Sequence, residues 1–345
     1  MIYKFSIIEK LLLANDIIPH PFADAASSVG LGFALGTAIK LKIADQLSMD
    51  YLSIDDIATG AKVSRNGAEI ILNCLDALGY VVKNNNTYAF TKRGFKNLSP
   101  HSPNNFRYFI LFCDHLYRGY LNLDETIRLG KRPQSSMLEE MSAHEWELFS
   151  RAMIDISSTN YKEVCGKIPI QKQYKQILDL GGSHGLYSIE LCNRNANLQA
   201  KIVDLPPVAK YAQECIGKSS VSSRVSFIAA DFMKDVLPPE NDVILAFNII
   251  HGLNVSENLH LAQKAYQLLN PGGIFVILDQ IKGIGGSSQL AKATTSYMAL
   301  NLLHQAGGNT YSFDEIQEFA TNAGFKSAVM KKLNAPGFGL VISTK

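Results

Sequence analysis

Charge of one sign, long apolar runs and closely spaced cysteines are all scarce in this 345-residue chain. Its 33 Lys and Arg balance 31 Asp and Glu, and a net charge of +2 disfavours a protein that works by gripping phosphate backbones. No apolar run approaches the ~18 residues of a membrane helix, so no membrane partner is expected. The 5 cysteines form no C-x-x-C pair, which argues against a disulfide framework or a metal site. A reducing cytoplasm is the expected location.

Apolar residues make up 47% of the chain, as in a folded globular protein. At ~150 residues per domain, the length predicts about two domains. The hydrophobic pattern changes near residue 160, so we predict a mostly helical first domain over residues 1–160 and an α/β second domain over residues 161–345. Glu9 and Lys10 break the apolar patch of Met1–Ala14, and this segment is interpreted as a helix of the mature protein.

The first domain has the element order of a winged helix. Ser53 and Ser64 each precede a run with helical spacing, as N-cap residues do. Two β-rich segments then flank Asn84–Asn86, which predicts a hairpin. Winged helices often bind DNA, but the segment that would enter the groove begins with a single arginine, Arg65, followed by Glu69. This charge pattern favours a packing or dimerisation module, with no nucleic acid as partner.

In the second domain apolar strands alternate with helical segments. This alternation predicts a doubly wound, mostly parallel α/β sheet of the Rossmann-like type. The predicted strands are Ile177–Leu180, Lys201–Asp204, Arg224–Ile228, Asp242–Phe247 and Gly273–Asp279. Two further segments, Ser327–Leu333 and Phe338–Thr344, flank a Pro-Gly pair and are predicted to form a closing antiparallel hairpin.

The loop after the first of these strands has glycines in the pattern D-x-G-G-x-x-G, from Asp179 to Gly185. The nicotinamide pattern G-x-G-x-x-G is not met, since Ser183 and Leu186 stand where it needs glycine. Asp204 ends the next strand, where a carboxylate can accept both hydroxyls of a ribose. Asp231-Phe232 follows the third strand, where an acid and a ring can hold an adenine. Because ligands of such sheets bind at the carboxyl ends of the strands, these acids predict one site for an adenosine ligand without phosphates.

Nearly the whole chain resembles the S-adenosylmethionine-dependent O-methyltransferases of the plant-caffeate and acetylserotonin type and their bacterial relatives. The motifs that support the resemblance are Asp179–Gly185, Val203–Pro206, Asp231-Phe232, Asn248–His251, Leu269–Gly273 and Phe149–Met153. The resemblance implies S-adenosyl-L-methionine as cofactor and a homodimer that forms through the N-terminal winged helix. It implies that the cofactor is bound by Asp179, Gly181, Gly182, Gly185, Asp204, Leu205, Asp231, Phe232 and Asn248.

The same resemblance places a catalytic histidine at His251, just past the fourth strand. A phenolic hydroxyl has a pKa of ~10, so it needs a base that takes its proton as the oxygen attacks the methyl group. A neutral imidazole suits this task, and its other ring nitrogen needs an acidic partner. Asp279, after the fifth strand, is the candidate for that partner.

Four positions depart from the family pattern. Gly252-Leu253 follows His251 where many members have Asp-Trp, Asp279 is shorter than the usual Glu, and Thr310 stands where plant members have a second Glu. These departures leave open a protein of this fold that binds the cofactor but catalyses a decarboxylation or a rearrangement. His184, in the glycine loop, is expected to face the tail of the cofactor or solvent rather than to take part in catalysis.

The substrate is expected to be a small molecule held by residues of both domains. The main candidates are Phe149, Met153, Tyr297, Met298 and Asn301, with Phe109, His115, Trp146, Leu302 and His304 as further lining residues. Their apolar and aromatic bias predicts an aromatic or polyketide-like hydroxyl substrate rather than a sugar or a nucleic acid. A winged-helix regulator with a small-molecule sensor domain is the alternative from another class.

Overall fold

The computed structural model describes residues 7–15, 25, 28–132, 141–286 and 288–345. The chain divides into two compact units, Met1–Arg118 and Gly119–Lys345. The domain boundary predicted near residue 160 comes from the change of pattern alone and stays a prediction, and the structure places the helices between 119 and 160 in the second unit. Within the described residues, every helix is too short or too polar to cross a lipid bilayer.

The first unit contains seven helices and three short strands among its described residues. The helices are α1 (Ile7–Ala14), α2 (Ser28–Lys40), α3 (Ile43–Gln46), α4 (Ile54–Ala61), α5 (Arg65–Ala77), α6 (Lys92–Leu98) and α7 (Arg107–Gly119). The strands are β1 (Leu52–Ser53), β2 (Val81–Asn84) and β3 (Thr87–Phe90). All three strands form one antiparallel sheet in the order β1-β3-β2, so the predicted hairpin gains a third strand.

Local sequence explains these boundaries. Ser53 accepts the N–H of Asp56 and Ser64 accepts the N–H of Gly67, which confirms both predicted N-caps. The apolar residues of α5 differ in burial. Ile70 is 54% exposed, while Leu72 and Leu75 are fully buried in the core of this unit.

The second unit contains the large sheet and the helices that cover it. The helices are α8 (Leu123–Leu129), α9 (Ala143–Ser157), α10 (Tyr161–Lys167), α11 (Leu186–Arg194), α12 (Ala209–Gly217), α13 (Val255–Leu268), α14 (Gln289–Ala306) and α15 (Phe313–Asn322). The strands are β4 (Gln176–Leu180), β5 (Gln199–Asp204), β6 (Val225–Ala229), β7 (Asn241–Phe247), β8 (Leu269–Lys282), β9 (Tyr311–Ser312), β10 (Ser327–Lys332) and β11 (Phe338–Thr344).

The predicted doubly wound sheet is confirmed. Its strands lie in the order β10-β11-β8-β7-β4-β5-β6, with the short β9 paired to β8. All pairs are parallel except β10 with β11 and β11 with β8. Strands β10 and β11 form the predicted closing hairpin. Because β4 has β5 on one side and β7 on the other, the strand order reverses at β4. A ligand site is expected at the carboxyl ends of the strands at this point.

The core lies on both faces of this sheet. Ile177 of β4 and Val243 of β7 belong to one hydrophobic cluster, while their neighbours Leu178 and Ile244 belong to the other. All four side chains are fully buried, and each such burial stabilises the fold by about 1.5–3 kcal/mol. A sheet buried on both faces is rigid, so it fixes the loops that leave its carboxyl edge.

Candidate functional site

The glycine loop leaves β4 at the reversal point and leads into α11. Gly181 has φ 64° and donates its N–H to the carbonyl of Val203 at 2.8 Å, so the loop turns toward β5. A Cβ atom at Gly181 would lie 2.2 Å from Ile249 Cδ1 and 3.5 Å from Phe232 Cε1. The segments that follow β4, β6 and β7 therefore come together at this glycine, as the sequence predicted for their functional residues.

Asp179 lies beneath the loop rather than in it. Its side chain is 1% exposed, and its Oδ2 accepts the hydroxyl of Ser188 on α11 at 2.7 Å. Burial raises the pKa of Asp179 to about 7. Gly182 packs so tightly over this carboxyl group that a Cβ atom there would lie 2.5 Å from Asp179 Cγ. Asp179 and Gly182 thus set the shape of the loop.

Ser183 and Asp204 join the loop to the end of β5. Ser183 has φ 46°, a left-handed conformation that costs a residue with a side chain roughly 1–2 kcal/mol. Its N–H donates to Asp204 Oδ2 at 2.8 Å, while Asp204 Oδ1 accepts the N–H of Leu205 at 2.7 Å. Charge-assisted bonds of this kind offset the strain of the loop. Burial raises the pKa of Asp204 to about 6.

Unsatisfied polar atoms show that this loop fits a polar ligand. Among the described residues, the buried atoms Asp179 Oδ1 and Ser183 Oγ have no hydrogen-bond partner. Buried polar atoms normally have one, and a ligand is one way to supply it. Each Asp204 oxygen also keeps a second lone pair beyond its backbone partner, which suits a pair of ribose hydroxyls. These donors and acceptors fit the adenosine part of the expected cofactor.

The segment after β6 contains the candidate cofactor residues Asp231 and Phe232. Phe232 reaches the glycine loop, whereas the carboxylate of Asp231 is engaged in its own turn. It accepts the N–H of Met233 at 2.9 Å and pairs with Lys234 Nζ at 3.1 Å. Burial would raise the pKa of Asp231, but the contacts with Lys234 and Met233 outweigh it, so the pKa is lowered. Asn248, after β7, has φ 56° and donates its N–H to the carbonyl of Leu278 at 2.7 Å.

His251 and Asp279 meet as predicted. His251 lies in a short 3-10 turn, Ile250–Gly252, and its Nδ1 is 2.6 Å from Asp279 Oδ1. The Asp279 side chain is 1% exposed and that of His251 is 16% exposed. Because the carboxylate accepts a proton on Nδ1, the neutral ring has its lone pair on Nε2. Among the described residues, Asp279 is the hydrogen-bonding partner of this ring.

Sequence reasoning missed the groups that hold the His251 turn. The buried Asn258 of α13 donates Nδ2 to the carbonyls of Ile250 (3.0 Å) and Leu253 (3.3 Å). On the other side, Asn309 donates its N–H to the carbonyl of His251 at 2.9 Å. Gly308 allows this approach, since a Cβ atom there would lie 1.8 Å from that carbonyl oxygen. An asparagine four residues past the helix N-cap Asn254 and a Gly-Gly pair after a helix were the available signals.

The candidate substrate residues lie on different elements. Phe149 and Met153 are half-buried on α9, where Phe149 packs edge-on against Trp146 at 6.0 Å. On α14, Tyr297 is 41% exposed and Met298 is half-buried. Asn301 accepts the hydroxyl of Tyr120 at 2.9 Å.

Three further lining candidates, His304, Phe109 and His115, lie on two different helices. His304 is buried, with Nδ1 2.8 Å from Thr126 Oγ1 and Nε2 2.8 Å from the Gly119 carbonyl, so both nitrogens are engaged. Phe109 and His115 belong to α7 of the first unit.

The structure corrects the expectation for His184. Its ring is 3% exposed and faces α9, where Nε2 is 2.9 Å from Ser157 Oγ, so it does not face solvent. Burial lowers the pKa of His184 to about 4, against the effect of a hydrogen bond with the backbone of Met153. The ring is therefore neutral at physiological pH. A histidine ring can be buried when both of its nitrogens have hydrogen-bond partners. The sequence alone does not show where such partners lie.

Comparison with known proteins agrees with this geometry. The family model of the O-methyltransferase domain matches residues 134–326. The chain is 24% identical over 332 residues to a 3-hydroxy-5-methyl-1-naphthoate 3-O-methyltransferase of Streptomyces sahachiroi, which covers 94% of each protein. It is 24% identical over 309 residues to the acetylserotonin O-methyltransferase of Bos taurus, with 85% and 88% covered. The solved structure of human N-acetylserotonin methyltransferase in complex with SAM superposes with a TM-score of 0.82 over 99% of both chains, at 22% identity.

Proposed function

Since the chain belongs to the O-methyltransferase domain family, we propose that it transfers a methyl group from S-adenosylmethionine to a hydroxyl of an aromatic or polyketide-like small molecule, with His251 as the general base. The contact between His251 Nδ1 and Asp279 Oδ1 is the observation that carries this proposal. It stands at the carboxyl edge of the sheet, and Ile249, two residues before His251, touches the glycine loop. This position supports a role for His251 as a base beside the expected cofactor site.

Different residues of the chain bind the cofactor and accept the proton in the proposed reaction. Asp204, Ser183 and the glycine loop hold the adenosine part of the cofactor, with Phe232 against its base. When bound, S-adenosylmethionine supplies a methyl group on a positively charged sulfur, which is already activated for transfer. His251 Nε2 accepts the proton of the attacking hydroxyl, which makes the oxygen a better nucleophile. Asp279 holds the ring in the required tautomer and stabilises the imidazolium that forms.

A single carboxylate among the described residues, that of Asp279, supports His251 in the proposed proton transfer. Thr310, at the position of the second plant Glu, is buried and its N–H bonds to Asn309 Oδ1 at 2.8 Å. The orientation of His251 thus depends on Asp279 and on the backbone contacts of its own turn. Acceptance of a phenolic proton needs no second acid, since one carboxylate already fixes the tautomer.

Calorimetric titration with S-adenosylmethionine and S-adenosylhomocysteine tests the cofactor assignment without knowledge of the substrate. Micromolar binding of both is expected. Methyl transfer is then assayed by mass spectrometry on hydroxynaphthoates, including 3-hydroxy-5-methyl-1-naphthoate, and on catechols and N-acetylserotonin. A product heavier by one methylene supports the proposal. Binding of both ligands with no methylated product over a wide phenol panel would favour the non-methylating alternative, and no binding would favour a regulator.

The N-terminal unit supports assembly rather than DNA binding. Ile7, Ile8 and Leu11 of α1 are 78%, 69% and 57% exposed, an apolar helix face that a second copy of the chain would cover. Arg65, at the start of α5, is paired with Asp55 at 2.9 Å, which reduces the positive charge available to a phosphate backbone. We expect a homodimer by analytical ultracentrifugation and no duplex binding in low salt.

A further inference from the structure

His184 sits in the glycine loop, but its ring bonds to a different element. Its Nδ1 accepts the N–H of Leu186, the first residue of α11, at 3.1 Å. The proton of the neutral ring is therefore on Nε2, which lies 2.9 Å from Ser157 Oγ at the end of α9. Both side chains are buried, at 3% and 5% exposed. The ring thus forms a buried polar contact between the glycine loop and α9.

The helix α9 also contains two of the candidate acceptor-binding residues, Phe149 and Met153. Ser157 lies one turn after Met153, whose backbone is a second partner of the His184 ring. A neighbouring hydrogen bond adds to this contact, since Tyr187 donates its hydroxyl to Oδ1 of Asn160, just past α9, at 3.0 Å. Breaking a buried hydrogen bond leaves an unpaired polar group, so the loop and this end of α9 are expected to move together.

We propose that His184 is a positioning residue that couples the glycine loop to the Met153 turn of α9, so that filling the cofactor site also orders the acceptor side. Coupling of this kind is an interaction free energy between two sites. The inference rests on the proposed function, because it takes the glycine loop as the cofactor site. It gives a task to a side chain that the proton-transfer chemistry of His251 does not use.

Hydrogen exchange read by mass spectrometry tests the coupling with S-adenosylhomocysteine as the probe. In the wild-type protein, the ligand is expected to slow amide exchange both at residues 181–187 and at residues 149–157. In Ser157→Ala the loop should still be protected, while the ligand-dependent slowing at 149–157 falls about fivefold or more. Ser158→Ala is the matched control, because the Ser158 hydroxyl donates to the Asp155 carbonyl, whereas Ser157 Oγ accepts the N–H of the ring. This control should behave as wild type.

Variants of the ring itself keep the test decisive if Ser157→Ala folds poorly. His184→Gln retains an N–H donor and should keep much of the ligand-dependent protection of α9, whereas His184→Leu should lose it. A purely structural role would lower the melting temperature without separating the two protected segments. Protection of α9 that survives in Ser157→Ala and His184→Leu would overturn the coupling. Failure of the wild type to bind the probe at all would instead overturn the cofactor assignment, and the coupling with it.

Discussion

His251 lies in the turn that follows β7, Asp279 lies within the neighbouring parallel strand β8, and His251 Nδ1 is 2.6 Å from Asp279 Oδ1. The register of the sheet explains the meeting, since Phe247 of β7 pairs with Leu278 of β8 and Asp279 is the next residue. Asp279 Oδ1 also accepts the N–H of Gln280 at 2.8 Å, which fixes the carboxylate. An imidazole held in this way is preorganised, because its orientation is set before any ligand arrives.

Replacement of His251 tests its role as the base. His251→Ala is expected to lower kcat for a phenolic acceptor by about 10²-fold or more, since general base catalysis typically contributes 10²–10⁴-fold. Affinity for S-adenosylhomocysteine by calorimetry should change little, because the proposed cofactor contacts lie in the glycine loop and at Asp204, which Ser183 joins by a hydrogen bond. A near-normal kcat in this variant would show that another group takes the proton.

Asp279→Asn separates orientation from charge at the same position. The amide can still accept the Nδ1 proton, but it does not stabilise the imidazolium that forms when Nε2 takes the substrate proton. We expect kcat to fall by about 10-fold or more, with the fall greatest for acceptors whose hydroxyl has a high pKa. The measurement is kcat over a series of substituted phenols. An equal fall across the series would indicate a loss of geometry alone.

Much of this arrangement could be predicted from the sequence. The strands and Asp204 follow from local pattern and from the rule that such sheets bind ligands at their carboxyl edge. His251 was indicated by the family resemblance, and Asp279 by the need of the His251 ring for an acidic partner. The contacts between Asn258 and Ile250, or between His184 and Ser157, could not be predicted, because they depend on how helices pack onto the finished sheet. The roles of the acidic residues at the strand ends were also ambiguous from the sequence. Only the structure shows that Asp179 is buried and that Asp231 bonds within its own turn.

Cofactor affinity is expected to depend on the protonation of Asp204. Burial raises the pKa of this carboxyl group to about 6, so it is mostly ionised at pH 7 and mostly protonated at pH 5. A protonated group loses acceptor capacity for ribose hydroxyls, and affinity is therefore lost as the pH falls through about 6. Calorimetry with S-adenosylhomocysteine should show about tenfold weaker binding at pH 5 than at pH 7. Asp204→Asn should bind more weakly at pH 7 and show little change with pH.

Asp179 makes a testable contribution to stability. Burial raises its pKa from 3.8 to about 7, so between these values the folded state binds more protons than the unfolded state. Stability from this group is therefore present at low pH and is lost as the pH rises toward 7, by an amount on the order of 4 kcal/mol at the limit. Asp179→Asn stays neutral, so its unfolding free energy relative to wild type should rise between pH 5 and pH 8. A difference that does not change with pH, in urea unfolding followed by circular dichroism, would contradict the assignment.

Gly308 offers a test of how closely the His251 turn must be held. A Cβ atom at this position would lie 1.8 Å from the His251 carbonyl oxygen, so Gly308→Ala must push the turn away from Asn309. A displacement of about 1 Å at a catalytic group can cost on the order of 10²-fold in rate. Gly252→Ala is the matched control within the same turn, because its Cβ atom would meet nothing within 4 Å. We expect kcat to fall steeply in Gly308→Ala and little in Gly252→Ala, with S-adenosylhomocysteine affinity retained in both. Equal rates in the two variants would mean that contact with this segment does not position the base.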